Sequence, residues 1–309
     1  MTPAVQNSNA LVSPSALMRI RNLELRARVV VEGFWSGIHR SPYHGFSVEF
    51  TEYRQYSAGD DPRYVDWRVF GRSDRYYIKK FEDETNLRCL LLTDQSRSMN
   101  FGSTGYTKAQ YAATLAATLA HFLNQQGDAV GLLSFDQRVR EYLPPRHRPG
   151  HLRQLMLALE KPAGGTATDL VGPLEHVTEL ARKRGLMVLI SDFLLPLDRV
   201  EVTLSRLLAA GHELTVFQVL DPQEVAFDFA EASVFQDIET GRTLYVDPAL
   251  ARQEYRRRFD AHRQALSELC QRLGARQVNV ITDRPLELVL FDFLRERARR
   301  EVRIRGGRR

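Results

Sequence analysis

The chain has 309 residues, enough to bury a sizeable hydrophobic core without disulfides or a structural metal. Hydrophobic residues make up 43% and charged residues 26% of the sequence, which excludes wholesale disorder but indicates no particular activity. The formal net charge of +5 lies in residues 292–309, where eight arginines outnumber three acidic residues, so the rest of the chain is neutral overall.

The sequence shows no signal for export or membrane insertion. The first fifteen residues lack a basic start and an apolar segment, and no apolar run approaches the roughly 20 residues that cross a bilayer. Two cysteines, Cys89 and Cys270, lie in different predicted elements without a Cys or His at a metal-ligand spacing. We therefore expect a soluble, cytoplasmic protein without a structural disulfide.

The N-terminal part of the chain is predicted to have little regular structure. Residues 1–18 are small and polar and are expected to form a disordered tail. Apolar positions between Arg19 and Val31 predict a short helix that leads into a strand. Residues 19–85 together are expected to form a small β-rich region, in which residues 46–81 are dense in aromatic side chains.

From residue 86 to residue 290, short aliphatic runs alternate with helical patterns. Buried strands are predicted up to Asp94 and at 129–135, 186–190, 214–220 and 278–282. Helices are predicted at 108–126, 151–160, 169–183, 199–210, 248–273 and 285–300. This alternation predicts a doubly wound α/β fold: a mostly parallel sheet with helices on both faces.

Three segments depart from the simple alternation. Arg138 to Leu143 is predicted to be an antiparallel neighbour of the preceding strand, ended by Pro144 and Pro145. Residues 221–247 contain a hairpin signal inserted into the α/β order. Residues 291–309 are expected to be the end of the last helix and a basic tail.

Polar oxygen-bearing side chains follow two of the buried strands. A strand ends in Asp94, with two serines at two-residue intervals, and another strand is followed by an aspartate. The glycine-threonine loop at 164–169 lies between them in sequence, and ligands of open parallel sheets bind outside the carboxyl ends of strands. The candidate ligands are Asp94, Ser96, Ser98, Thr166, Thr168 and Asp192.

This ligand set indicates a hard metal ion. Carboxylate and hydroxyl oxygens without imidazole or thiolate suit a divalent cation such as Mg²⁺ and disfavour zinc. The alternative for Ser96 and Ser98 is that their hydroxyls only cap the loop. The loop and Asp192, each placed after the appropriate element, favour the metal site.

The motif Asp94-Gln95-Ser96-Arg97-Ser98, with the threonine loop and Asp192, resembles the metal-ion-dependent adhesion site of von Willebrand factor A domains. The segment from Tyr53 to Arg68, followed by Phe81-Glu82-Asp83-Glu84, resembles the signature of the bacterial domain of unknown function 58 family, which carries such a domain. The signature residues singled out are Gly59, Asp60, Arg63, Asp66, Trp67 and Arg68.

The resemblance implies a metal-dependent, non-enzymatic interaction module. Asp94, Ser96 and Ser98 would bind Mg²⁺ directly or through water, with Mn²⁺ or Ca²⁺ as alternatives, and Asp192 would bind through water. Thr168 is preferred over Thr166 as a further ligand. The partner would supply an acidic side chain, and the family resembles proteins encoded beside MoxR-type AAA+ ATPases, which suggests an adaptor in remodelling or cofactor insertion.

Two other functions compete with this hypothesis. A Mg²⁺-dependent phosphoryl-transfer enzyme could use Asp94 as its nucleophile, but Ser96 stands where a second acid would be expected, and no nucleotide-binding glycine loop is present. Nucleic acid could bind the arginine-rich end together with the helix at 248–273. That helix also carries acidic residues, so its charge is mixed.

Overall fold

The computed structural model describes residues 11–38, 53–55, 77–79, 87–164, 170–181, 183–229, 233–236 and 243–306. The chain divides into two compact units, Ile38–Asn86 and Met1–Gly37 with Leu87–Arg309. In the smaller unit, strands β1 (Tyr53–Gln55) and β2 (Tyr77–Lys79) pair in antiparallel orientation. The signature residues between Gly59 and Arg68 lie outside the described part of the chain.

The larger unit alternates strands and helices. Its strands are β3 (Arg88–Asp94), β4 (Ala129–Phe135), β5 (Val139–Arg146), β6 (Leu186–Ser191), β7 (Glu213–Leu220), β8 (Ser233–Gln236), β9 (Thr243–Val246) and β10 (Arg276–Ile281). Its helices are α1 (Pro14–Met18), α2 (Leu23–Ile38), α3 (Lys108–Gln125), α4 (His151–Leu159), α5 (Val171–Leu180), α6 (Leu197–Ala209), α7 (Pro222–Ala226), α8 (Pro248–Leu273) and α9 (Leu286–Gly306), with a 3₁₀ helix at Arg97–Asn100. No helix within these described ranges has the length and apolarity needed to span a bilayer.

Six strands form one sheet in the order β10-β7-β6-β3-β4-β5, and all neighbours are parallel except β4 and β5. The predicted α/β fold with a mostly parallel sheet is confirmed. Strands β8 and β9 form the separate antiparallel hairpin. Read from β5 to β10 and numbered within this sheet alone, the strand order is 3-2-1-4-5-6. In this order the chain winds outward in both directions from the central pair β3 and β6.

The core lies on both faces of this sheet. Leu90 and Leu92 of β3 belong to a buried cluster with side chains of α5, α6 and α8, including Leu174, Leu204 and Leu266. Leu91, between them, points to the opposite face because side chains alternate along a strand, and it is also fully buried. A strand buried on both faces explains why the sequence of β3 is a continuous aliphatic run.

The N-terminal segment differs from its prediction. Residues 14–18, expected in a disordered tail, form α1, whose Leu17 is buried, and the strand expected near Val31 is part of α2. The valine-rich run favoured a strand locally. Buried positions in α2 recur instead at intervals of three and four residues, and this helical periodicity determines the structure: Leu23, Ala27, Val30, Val31 and Phe34.

Two elements extend three or more residues beyond their predicted ends. Strand β5 continues through Pro144 and Pro145 to Arg146, because β5 is an edge strand with register shifts opposite β4, where missing N–H donors are tolerated. Helix α9 continues to Gly306, so most of the expected basic tail is helical. Arginine is a good helix former, and no glycine or proline interrupts the segment earlier.

The close approach of β5 to β4 gives a test of this packing. A Cβ added at Gly131 of β4 would lie 2.6 Å from both the Leu143 oxygen and the Pro145 nitrogen. We expect Gly131→Ala to lower the free energy of unfolding by about 1–3 kcal/mol in urea titrations, because the backbone of β5 must move. Gly37→Ala is the control, since nothing lies within 4 Å of its added methyl group. Equal effects of the two substitutions would contradict the packing described.

Candidate metal centre

The two predicted aspartates lie at the carboxyl ends of the central strand pair. Asp94 is the last residue of β3, Asp192 directly follows β6, and the two strands are hydrogen-bonded neighbours in register up to Thr93 and Ile190. The sheet winds outward in both directions from this pair, so the crevice that opens here is the usual ligand position of a doubly wound sheet. Asp94 is 2% and Asp192 1% exposed.

The loop after β3 turns the serine hydroxyls toward Asp94. Asp94 Oδ1 accepts a hydrogen bond from the Ser96 N–H at 2.8 Å, and Oδ2 accepts one from the Ser191 hydroxyl at 2.5 Å. The Ser96 and Ser98 hydroxyl oxygens lie 3.1 Å apart. The structure thus brings together four of the six predicted ligands. Thr166 and Thr168 lie outside the described residues.

Burial destabilises the ionised form of the Asp94 carboxyl group. Desolvation, and then the negative charge of Asp192, raise the pKa of Asp94 to about 7, although hydrogen bonds from Ser191 and Ser96 oppose the shift. The carboxylate is therefore held in a site where a nearby positive charge would favour its ionised form.

A buried lysine completes the site, and the sequence analysis missed it. Lys108, the first residue of α3, is fully buried, and its Nζ lies 2.8 Å from Asp192 Oδ2 and 2.5 Å from Glu224 Oε1. Burial alone would lower the pKa of Lys108, but the two carboxylates raise it above its usual value. The ammonium group is thus a fixed cation between two strand ends.

The sequence contained a weak signal for this lysine. A basic residue in the first turn of a helix opposes the helix dipole, whose positive end is the amino terminus. The N-cap Thr107 accepts a hydrogen bond from the Gln110 N–H and completes a capping box, so the start of α3 was recognisable. A lysine at this position without a nearby acidic residue in sequence indicates a partner elsewhere in the fold.

Hydrogen bonds extend from the lysine into two loops. Glu224 Oε2 accepts from the Asp221 N–H at 2.9 Å in the capping box of α7. Asp221 accepts from the N–H and the hydroxyl of Ser103 at 2.8 and 2.5 Å. The loop before α3 and the turn after β7 are therefore tied to the same buried charges.

The segment after Asp192 is held in an uncommon conformation. Phe193 is fully buried with a φ of 54°, in the left-handed region that non-glycine residues rarely adopt. Its carbonyl accepts a hydrogen bond from His262 of α8 at 2.7 Å, and the Asp192 carbonyl accepts one from Gln218 at 3.2 Å. These contacts fix the backbone that carries Asp192.

The donor chemistry fits a hard divalent cation. The neighbourhood offers two carboxylates and two serine hydroxyls, all oxygen, the ligand type of Mg²⁺. With Asp94 ionised, the carboxylates of Asp94, Asp192 and Glu224 against Lys108 leave two negative charges, which a divalent ion would balance. Among the described residues, no group of three or more His, Cys, Asp or Glu side chains is arranged to hold a metal, so hydroxyls would have to contribute.

A cavity of about 460 Å³ borders the same edge of the sheet. It lies against Asp94 and Gln95, the start of α3, the end of α4, and Arg21 of the N-terminal segment. The hydroxyl of Thr93 is buried at this cavity without a hydrogen-bond partner in the described structure. The cavity beside Asp94 is therefore large enough for a ligand bigger than an ion.

Comparison with known proteins identifies relatives over most of the chain. The family model described as Protein of unknown function DUF58 matches residues 52–268. Uncharacterized protein Rv1480 of Mycobacterium tuberculosis and uncharacterized protein Mb1516 of Mycobacterium bovis are each 30% identical over 292 residues, covering 93% of this chain and 91% of theirs. The crystal structure of conserved hypothetical protein BatB from Bacteroides thetaiotaomicron aligns with a TM-score of 0.48 at 13% identity, covering 69% of this chain and 99% of that one.

The buried ion pairs predict a large effect of removing the ammonium group. Lys108→Met leaves Asp192 and Glu224 buried without their counterion, so we expect the free energy of unfolding to fall by about 3–5 kcal/mol. Lys161→Met is the control, because Lys161 pairs with Glu141 but its side chain is 60% exposed, and its loss should cost about 0–1 kcal/mol. Urea titrations at pH 7 measure both. Similar losses would show that Lys108 is not the counterion described.

The pKa of Asp94 predicts a pH dependence of stability without metal. Between its unfolded value of 3.8 and about 7, the native state keeps a proton that the unfolded chain releases. Stability therefore falls as the pH rises through this interval, by an amount on the order of 4 kcal/mol. Asp94→Asn should remove this fall, so in urea titrations with chelator its stability relative to the wild type should increase from pH 4 to pH 7.

Asp136→Asn is the matched control for this measurement. Asp136 directly follows β4 at the same edge of the sheet and is 1% exposed. Burial would raise the pKa of Asp136, but hydrogen bonds from Arg140 and the Arg138 N–H lower it. The stability that its carboxylate contributes is therefore nearly complete by pH 4, so the variant should be less stable than the wild type by a nearly constant amount from pH 4 to pH 7. The same trend in both variants would refute the assignment for Asp94.

Proposed function

The chain belongs to the family described as Protein of unknown function DUF58, and we propose that it is a non-enzymatic protein-interaction module whose partner binding depends on a divalent cation. The observation that carries the proposal is the oxygen cluster at the carboxyl ends of β3 and β6. Asp94, the Ser96 and Ser98 hydroxyls and Asp192 lie at the point from which the sheet winds outward in both directions.

The metal we propose is Mg²⁺, with Mn²⁺ or Ca²⁺ as alternatives of the same hard type. Asp94, Ser96 and Ser98 would hold it directly or through water. Asp192 would act through water, because one of its oxygens is engaged by Lys108. Thr168, or Thr166 in its place, would contribute a further hydroxyl from the loop before α5.

This arrangement supports a von Willebrand factor A-like domain with an adhesion-type metal site. Such a site uses few charged ligands, so the bound cation stays electrophilic toward a carboxylate from outside. The cavity beside Asp94 offers that carboxylate, and the segment carrying it, a way to reach the metal. We propose that the partner contributes an acidic side chain, and that the ion joins the two proteins.

The residues around Asp94 favour binding over phosphoryl transfer. Ser96 stands where a phosphoryl-transfer site with an aspartyl nucleophile would be expected to have a second acid. The charges of α8 also weaken the nucleic-acid alternative. Arg257 and Arg258 both pair with Glu254, so part of the positive charge of this helix is already balanced.

The partner class we propose is a MoxR-type AAA+ ATPase, with this chain acting as an adaptor in protein remodelling or cofactor insertion. The proposal follows from the sequence resemblance of the family to proteins encoded beside such ATPases. The buried network around Lys108 supports a rigid binding surface, because it ties the loop before α3 to the turn after β7.

A metal titration followed by affinity capture tests this function. Mg²⁺ should raise the free energy of unfolding by about 2.7 kcal/mol at one hundred times its dissociation constant. Tagged wild-type protein should then retain a MoxR-type ATPase from lysate in Mg²⁺ and release it in chelator. Asp94→Asn and Ser98→Ala should lose both effects, whereas Asp136→Asn should keep both.

The variants separate the metal at this site from other uses of Mg²⁺. An ATPase partner itself requires Mg²⁺, so chelator alone does not identify the site, but Asp94→Asn in the presence of Mg²⁺ does. Undiminished capture by folded Asp94→Asn would refute the proposed role of the metal. Stabilisation by Mg²⁺ without capture of an ATPase would refute the partner and leave the metal site standing.

A further inference from the structure

We propose that the opposite end of the sheet holds a second binding site, specific for a phosphate-type oxyanion. A cavity of about 170 Å³ lies at the amino-terminal ends of β3 and β6, bordered by β5 and by the end of α5. It is separated from Asp94 by the length of β3. Nothing in the metal site or in the proposed interaction function uses these residues.

The cavity wall carries positive charge without a carboxylate. Its charged or ionisable lining residues are Arg88, Lys183, His212 and Tyr142, and none of its other lining residues is acidic. Arg88 is held in place because its Nη2 donates to the Pro145 carbonyl at 3.3 Å. Arg184, next to Lys183, lies over Gly211, where its Nε is 2.7 Å from the position of an added Cβ.

His212 supplies an independent indication of a ligand. It is 6% exposed, it lines the cavity, and its Nδ1 is buried without a hydrogen-bond partner among the residues described. Buried polar atoms are nearly always hydrogen-bonded, so the orphan ring nitrogen of a residue that lines the cavity marks a hydrogen bond that the described residues do not supply. An oxyanion accepts from an imidazole N–H as well as from guanidinium and ammonium groups.

The size and the donors favour phosphate. The cavity is smaller than the roughly 300 Å³ at which pockets for drug-sized ligands begin, so it admits an ionic group rather than a whole nucleotide. Guanidinium, ammonium and imidazole donors together match the several oxygens of a phosphate better than the two of a carboxylate. The carbonyl end of α5 borders the cavity and opposes an anion, so the side-chain cations must supply the attraction.

The loop that carries Lys183 is built for close contact with β3. A Cβ at Gly185 would lie 2.3 Å from the Arg88 carbonyl oxygen, so only glycine allows this approach. The Gly185 carbonyl in turn accepts from the Glu213 N–H at 3.0 Å, which joins the loop to the start of β7, next to His212. Arg88 and His212 thus lie at the starts of β3 and β7, and Lys183 lies in the loop before β6, the strand between them in the sheet.

Calorimetric titration of the full chain with inorganic phosphate tests the site, in chelator and at constant ionic strength. We expect saturable binding that is at least tenfold weaker in Lys183→Met and in Arg88→Met. Arg256→Met is the matched control, because Arg256 is an exposed residue of α8 away from the cavity, and its isotherm should equal that of the wild type. The ¹⁵N resonances of His212 should shift with phosphate in the wild type and not in Lys183→Met.

Three further arms complete the experiment. Phosphoserine in place of phosphate distinguishes the source: equal or tighter binding indicates a phosphorylated molecule, and weaker binding indicates the free ion. Acetate binding as tight as phosphate would overturn the assignment, as would the absence of saturable binding or an equal loss in Arg256→Met. Asp94→Asn should leave the phosphate isotherm unchanged. The phosphate site and the proposed metal site are therefore tested independently of each other.

Discussion

The pairing of two buried carboxylates at neighbouring strand ends is the constraint around which the larger unit is organised. Asp94 and Asp192 follow adjacent parallel strands, and both are almost completely removed from water. Mutual repulsion and desolvation would make this arrangement unfavourable without compensation. The compensation comes from Lys108 on one side and from hydroxyl and N–H donors on the other. Each donor is fixed by a different element, so the electrostatics of the site depend on the correct assembly of the whole sheet edge.

The two carboxylates are stabilised to different degrees, and this difference determines what the site can bind. Asp192 has a permanent cation at hydrogen-bond distance, whereas Asp94 has only neutral donors. Burial, and then the negative charge of Asp192, raise the pKa of Asp94, so a further positive charge nearby would stabilise its ionised form. A protein that only needed a stable core would place an apolar residue here, because buried charge is seldom the most stable choice. A carboxylate kept at a strand end with incomplete compensation is better explained by the binding of a cation.

The sequence predicted elements well where the signal is local. Strand β4 and helix α8 have the predicted bounds, because glycine or proline marks their ends and their patterns are continuous. The sequence predicted elements wrongly where tertiary contacts determine the structure. The prolines of β5 are tolerated because that strand lies at the edge of the sheet, and α2 is helical although it contains several valines. The partners of Lys108 are 84 and 116 residues away in sequence, so no local pattern could indicate them. The oxygen motif was visible because a strand and its following loop keep its members close together.

Strand β3 connects the two proposed sites. It begins with Arg88 at the proposed oxyanion cavity and ends with Asp94 at the candidate metal centre, and the residues between them are buried and, except for Cys89 and Thr93, aliphatic. The buried part of β3 separates the two charged side chains, so they lie at opposite ends of the strand. Strand β6 repeats the arrangement, with Lys183 before it and Asp192 after it. The two central strands therefore have basic residues at or before their amino-terminal ends and acidic residues at or after their carboxyl ends. The two proposed sites therefore depend on the same packed strands but have no residue in common.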